Sequence, residues 1–193
     1  MFRKLAAIVV MTLSLAACAT YQPVDSASVM NVGGGVSVDP QIAWAKVVRP
    51  NTSGALWTVD GLGLDELYFF TDVKAGQPLI TLRGEDEKET RLYADDMLPN
   101  DVMDLLASTV EKLGYRQVRT SGLAPARFGN TTGFRFNLNF STSNGLEMKG
   151  MAIAAQRNSK LDLILFTAPA EYYFGHYSPI VDKLFSSVQT SGA

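Results

Sequence analysis

The chain has 193 residues, 47% of them apolar and 19% charged, with 17 Lys and Arg against 19 Asp and Glu and a formal net charge of −2. That length suffices for one ordinary domain with a real core. The near-neutral balance, without a block of basic residues, speaks against a nucleic-acid face, and no self-similarity occurs at solenoid or propeller periods.

The first residues divide into a charged start, Arg3 and Lys4, an apolar run from Leu5 to Leu15 broken only by Thr12 and Ser14, and the small residues Ala16 and Ala17 before Cys18. This is the layout of a secretory signal, and the apolar run falls short of the roughly 20 residues that span a bilayer. The order Leu15-Ala16-Ala17-Cys18 resembles the bacterial lipobox. The resemblance implies cleavage after Ala17 and a diacylglycerol on the Cys18 thiol, so that residues 1–17 are a lipoprotein signal peptide. Cys18 is the only cysteine in the chain, and an unpaired thiol in an exported protein needs an explanation that lipidation supplies. The alternative is an ordinary secretory signal with a chance cysteine near the cut. Ala19 stands where an inner-membrane retention signal would place Asp. In a Gram-negative source this resembles the pattern of lipoproteins on the outer membrane, facing the periplasm.

From Cys18 to Asp39 the chain is rich in Ser, Val, Gly and Ala, with Gly33, Gly34 and Gly35 in a row. This composition predicts a flexible tether over 18–39 and a single globular domain over 40–193. Strands are expected at Gln41–Val48, with Ile42, Trp44 and Val48 on one face, and at Leu56–Val59. The apolar run Leu67-Tyr68-Phe69-Phe70 within Leu64–Val73 predicts a well-covered strand. A turn follows near Gly76, and the highly charged Arg83–Glu89 reads as an exposed loop. Val102, Leu106, Val110 and Leu113 recur at helical spacing, with Pro99 suited to a first helical position, Asp101 and Lys112 placed to suit the helix dipole, and Gly114 as the stop.

The period then changes to two. Tyr115–Arg119 is a short strand. In Gly133–Phe140, Phe134, Phe136, Leu138 and Phe140 alternate with Arg135, Asn137 and Asn139. Asn144-Gly145 supplies a turn, Leu146–Ala155 returns, and the apolar Leu161–Ala168 reads as a central strand. Ser178 as N-cap and Pro179 as first residue predict a final helix, with Val181, Leu184, Phe185 and Val188 facing the core. Glu171–Tyr177 is a separate preceding turn, broken near Gly175.

Short strands, a helix, antiparallel strands and a helix predict an α+β domain with helices packed on an antiparallel sheet. The strand Gly133-Phe134-Arg135-Phe136, the strand Leu161–Phe166, Ala168-Pro169 and a last helix reaching Ser186-Ser187 resemble the PsbP-like superfamily, mainly over Tyr115–Val188. The resemblance implies an α/β/α sandwich and brings no catalytic residues. The first half, with Trp57-Thr58-Val59-Asp60-Gly61, is the poorer fit.

Sites of chemistry are few. His176 is the only histidine; Ser178, Asp182 and Ser186 lie near it in sequence, but no nucleophile elbow is present. One His and no free Cys do not make a zinc site. Glu85–Glu89, or Asp95 with Asp96, lack the spacing of a calcium loop. Gly61-Leu62-Gly63 lacks the third glycine and the following helix of a dinucleotide fold. No cofactor and no metal are expected. The Phe134, Phe136, Phe140 stripe reads as core rather than a pocket wall. Tyr172, Phe174 and His176 are expected at the rim of the last helix, and form the candidate binding surface, with Tyr173 and Tyr177 continuing the buried stripe. The function predicted is that of a non-catalytic envelope lipoprotein, held on the membrane by its lipid, that binds a partner protein or small ligand. The alternative is an envelope hydrolase using His176 or paired carboxylates.

Overall fold

The computed structural model describes residues 20–48, 54–81 and 90–191. The signal segment with Cys18, and the charged run Arg83–Glu89, lie outside these residues. Among the described residues the order is β1 (Thr20–Val24), β2 (Met30–Gly33), β3 (Val36–Val38), β4 (Trp44–Val48), β5 (Ala55–Thr58), β6 (Glu66–Lys74), α1 (Pro99–Lys112), β7 (Arg116–Phe128), β8 (Thr131–Ser141), β9 (Glu147–Arg157), β10 (Lys160–Pro169), α2 (Tyr173–Ser186) and β11 (Gln189–Thr190). Eight strands form one sheet in the order β1-β4-β5-β6-β10-β9-β8-β7, and β11-β3-β2 form a second, small sheet. Every pairing is antiparallel.

The large sheet is covered on both faces. Strand side chains alternate between faces, and β10 shows the two sets. Leu161, Leu163 and Leu165 join the core with Val102, Leu105, Leu106 and Val110 of α1. Ile164, Phe166 and Ala168 join Val181, Leu184 and Phe185 of α2 and Val32, Val36 and Val38 of the small sheet. This is the α+β arrangement expected, with β6 and β10 central. The aromatic strand also behaves as expected: Phe134, Phe136, Leu138 and Phe140 are buried and the intervening Arg135, Asn137 and Asn139 are exposed. α1 begins at Pro99, carries Asp101 in its first turn and Lys112 in its last, and is followed by Gly114 at φ +91°.

The expected tether is a correction. Residues 20–38 are built into both sheets. β1 pairs with β4, and Val24, Val32, Val36 and Val38 are all buried. The three glycines make the tight β2–β3 connection. Gly33, Gly34 and Gly35 all have positive φ, and a Cβ on Gly34 would sit 2.9 Å from Thr71 Cβ, so small size here serves close approach rather than looseness. The segment is then fastened from outside itself: Arg157 Nη2 donates to Gly34 O at 3.0 Å and Ser191 N to Gly35 O at 2.8 Å.

Three boundaries also differ. In β4 the inward residues are Trp44 and Val47, while Val48 is half-buried. β7 runs to Phe128, far past Arg119, as an exposed edge strand with two register shifts. α2 begins at Tyr173, not Ser178, and carries Pro179 inside it. An interior proline removes one helical bond and crowds the carbonyl four residues back, a cost of about 3 kcal/mol in an ordinary helix. Here that carbonyl belongs to Gly175, and the first turn is held by packing: Tyr177 is buried and the Phe174 ring stacks on Phe166 at 6.0 Å.

Candidate functional site

The residues expected at the rim are divided by the fold. Tyr172 is 63% exposed. His176, one helical turn on and also exposed, lies parallel to its ring at 5.6 Å and 9°. Phe174 turns the other way; it is half-buried against Phe166 and belongs to the core side. Tyr173 and Tyr177 continue the inward stripe as expected. The exposed pair therefore stands on a firm base. His176 meets Tyr177 edge-on at 4.7 Å, Tyr177 lies 6.3 Å from Trp44, Trp44 lies 6.5 Å from Trp57, and Trp57 lies 4.6 Å from Phe69.

A second set of groups joins the rim from the β5–β6 loop, where sequence reasoning saw only a failed dinucleotide motif. The Tyr177 hydroxyl donates to Asp60 Oδ2 at 2.6 Å. Asp65 is completely buried; it accepts from Val59 N at 2.6 Å, Asp60 N at 2.8 Å and Thr58 Oγ1 at 3.1 Å. Glu66 accepts from Gly63 N and from the Tyr68 hydroxyl at 2.8 Å. Three carboxylates flanking a glycine turn were a signal in the sequence, but the Tyr177–Asp60 contact spans 117 positions and no local pattern announces it.

Burial, and then the facing Asp60, push the Tyr177 phenol well above its usual range, so it stays a donor at any physiological pH. Burial likewise pushes the Asp65 carboxyl up, against the opposing pull of its hydrogen bonds. A carboxyl whose pKa is raised by folding stabilises the fold most below its unfolded value near 3.8, and that contribution is lost as pH rises through the folded value. Relative to an Asp65→Asn variant, the native protein should therefore have its largest stability advantage near pH 3. The difference should shrink towards neutrality; urea melts at a series of pH values measure it, and a difference growing with pH would contradict the reading.

Two of the possible catalytic neighbours of His176 are engaged elsewhere. The Asp182 carboxylate pairs with Arg135 at 3.0 Å, and the Ser186 hydroxyl donates to the Asp182 carbonyl at 2.8 Å. Among the described residues no group of three or more His, Cys, Asp or Glu side chains is placed to hold a metal ion. The recess beneath the C-terminal half of α1, lined by Glu66, Tyr68, Leu106, Val110 and Phe140, holds about 20 Å³, room for one water. A larger trough of about 500 Å³ lies beside Pro99, Leu123, Pro125 and Phe134. Its amide, Gln156, already donates to Met97 O and to the Tyr93 hydroxyl, so the trough lacks the convergent polar groups that fix a small ligand.

No protein-family model matches the sequence, and no curated protein matches it. Among solved structures the chain is similar to the solution structure of cyanobacterial PsbP (CyanoP) from Synechocystis sp. PCC 6803, at 14% identity and a TM-score of 0.52, over 92% of this chain and 99% of that one. The fold is PsbP-like. The likeness extends well beyond Tyr115–Val188, so the first half of the chain, the poorer fit by its residues, is also part of the PsbP-like fold. At this identity the likeness is one of fold.

Proposed function

We propose that the chain is an exported, lipid-anchored protein of the cell envelope whose PsbP-like domain works by binding a partner protein rather than by catalysis. The anchor rests on Arg3 and Lys4, the apolar run and Leu15-Ala16-Ala17-Cys18; Ala19 favours the outer membrane, periplasmic side, in a Gram-negative cell. The binding reading is carried by one observation: an exposed Tyr172–His176 stack mounted on buried aromatic rings and tied through Tyr177 to Asp60. An aromatic with a polar tip, held rigid before contact, loses little entropy on binding and is a common anchor of interfaces. The same helix spends Asp182 and Ser186 on other contacts, which favours binding over hydrolysis.

The anchor is tested by intact mass of the membrane-extracted protein, which should begin at Cys18 with acyl mass; Cys18→Ser should abolish that mass. The rim is tested in cells by a photo-crosslinking residue at position 172 and, as control, at exposed Asn130. A discrete adduct from position 172 alone supports the reading; the same adducts from both positions, or none from either, contradict it. Tyr172→Ala with His176→Ala should abolish partner recovery while shifting stability by no more than about 0.5 kcal/mol, the usual scale for exposed positions.

A further inference from the structure

The first strand starts almost at the anchor. Only Ala19 separates Cys18 from Thr20, the first residue of β1, and two residue steps reach at most about 7 Å at full extension. With residues 20–38 folded into the sheets, no spacer remains between lipid and domain. The start of β1 must then lie at the headgroups, and the neighbouring strands decide what lies with it. Thr20 pairs with Val48 at the end of β4, Ala55 at the start of β5 pairs with Phe69, and β6 runs on from there to Lys74. The turn Lys74–Gln77 therefore lies on the anchor's side of this half of the sheet, about 17 Å beyond the level of Thr20, and with the strands inclined to the bilayer both Thr20 and the turn reach the headgroups. The opposite end holds Asp25 after β1 and the Thr58–Glu66 loop between β5 and β6. Through the Tyr177–Asp60 bond it also holds the start of α2.

We infer that the anchor seats the domain directly on the bilayer surface with the Lys74–Gln77 turn against the headgroups, so that the Thr58–Glu66 loop and the Tyr172–His176 rim face away from the membrane. This rests on the lipoprotein reading above. β6 has nine residues, so the two ends are about 30 Å apart. The partner bound at the rim would then be a protein of the aqueous compartment rather than one embedded in the same bilayer.

The alternative seating, with β1 lying along the membrane, places the end of β5 two strand spacings from the surface and the end of β6 three, about 10 and 14 Å. The two arrangements are separated by single labels. Lipidation consumes the only native thiol, so Ala75→Cys and Val59→Cys each introduce one reactive site at an exposed position, on opposite ends of adjacent strands. The lipidated full-length variants are labelled with a fluorophore and reconstituted in phosphatidylethanolamine–phosphatidylglycerol vesicles carrying a nitroxide headgroup lipid. The Ala75→Cys label should lose most of its emission and the Val59→Cys label almost none. Equal quenching, or stronger quenching at position 59, in protein that floats with the vesicles and carries acyl mass overturns the orientation alone. Protein that lacks acyl mass and does not float overturns the anchor and the orientation together.

Discussion

Deleting residues 20–39 should unfold the domain. Val24, Val32, Val36 and Val38 are 4%, 7%, 0% and 0% exposed. Full burial of one such side chain contributes about 1.5–3 kcal/mol, so the four together contribute about 6–12 kcal/mol. Whole domains of this size are stable by only about 5–15 kcal/mol. The deletion would also strip β4 of its outer neighbour and uncover the side of the core against which α2 packs. Far-ultraviolet circular dichroism and thermal melting should show lost cooperativity. Replacing only exposed Ser26, Ala27 and Ser28 with glycine should lower the melting temperature slightly, because these residues bury no apolar surface and the side-chain hydrogen bond lost is that of Ser28 to Asp25. Limited proteolysis gives a second readout: a loose linker would be clipped first between Thr20 and Asp39, whereas strands in two sheets should resist until the whole domain opens. A fully cooperative melt in the deleted protein would restore the tether.

The second large effect should come from Asp162. This carboxylate, 2% exposed, accepts from Arg157 Nε at 2.8 Å and from the Asp72 backbone N–H at 2.9 Å. Arg157 in turn reaches Gly34 of the β2–β3 connection. Asp162→Ala leaves a largely buried guanidinium without its counter-charge and the Asp72 donor without an acceptor. Removing one member of a buried pair costs about 3–5 kcal/mol, measurable as a fall in the urea midpoint. Replacing both charges, as Asp162→Leu with Arg157→Leu, should restore part of that loss, because the desolvated charge disappears with its partner. A double variant less stable than Asp162→Ala alone would mean that the bonds to the Asp72 N–H and the Gly34 carbonyl, rather than the ion pair, carry the stability.

The parts of this fold that could be read directly are those whose stability is local or strictly periodic. α1 declares itself through Val102, Leu106 and Val110 and through its own end signals, and β8 through the alternation from Phe134 to Phe140. The N-terminal segment could not be read this way. Its strands have three to five residues, its four buried valines are scattered among Ser and Gly, and each strand exists only because a distant partner covers it: β4, β11 or α2. β7 escaped for a related reason. Gly122 and Pro125 are breakers in any interior strand, and only an edge accommodates both. At α2 the pair Ser178-Pro179 carries a valid start signal, overridden because Phe174 and Tyr177 gain more from the core than the helix loses at the proline. In the candidate site the wealth of aromatics was visible, and so was the exposure of Tyr172 and His176. The inward turn of Phe174 and the union of Tyr177 with Asp60 depend on packing across the whole chain.

The two open borders of the large sheet share a feature with a consequence for crowding. An unpaired strand border is a template on which a neighbouring molecule can add its own strand, a hazard that the proposed lipid anchor would raise by holding copies in one plane. β1 is five residues long and contains Pro23; β7 is long but contains Pro125, two breaks in register, and positive φ at Gln117 and Gly122. Neither border offers a regular row of donors and acceptors, so copies brought side by side have no straight border along which to fuse into a continuous intermolecular sheet.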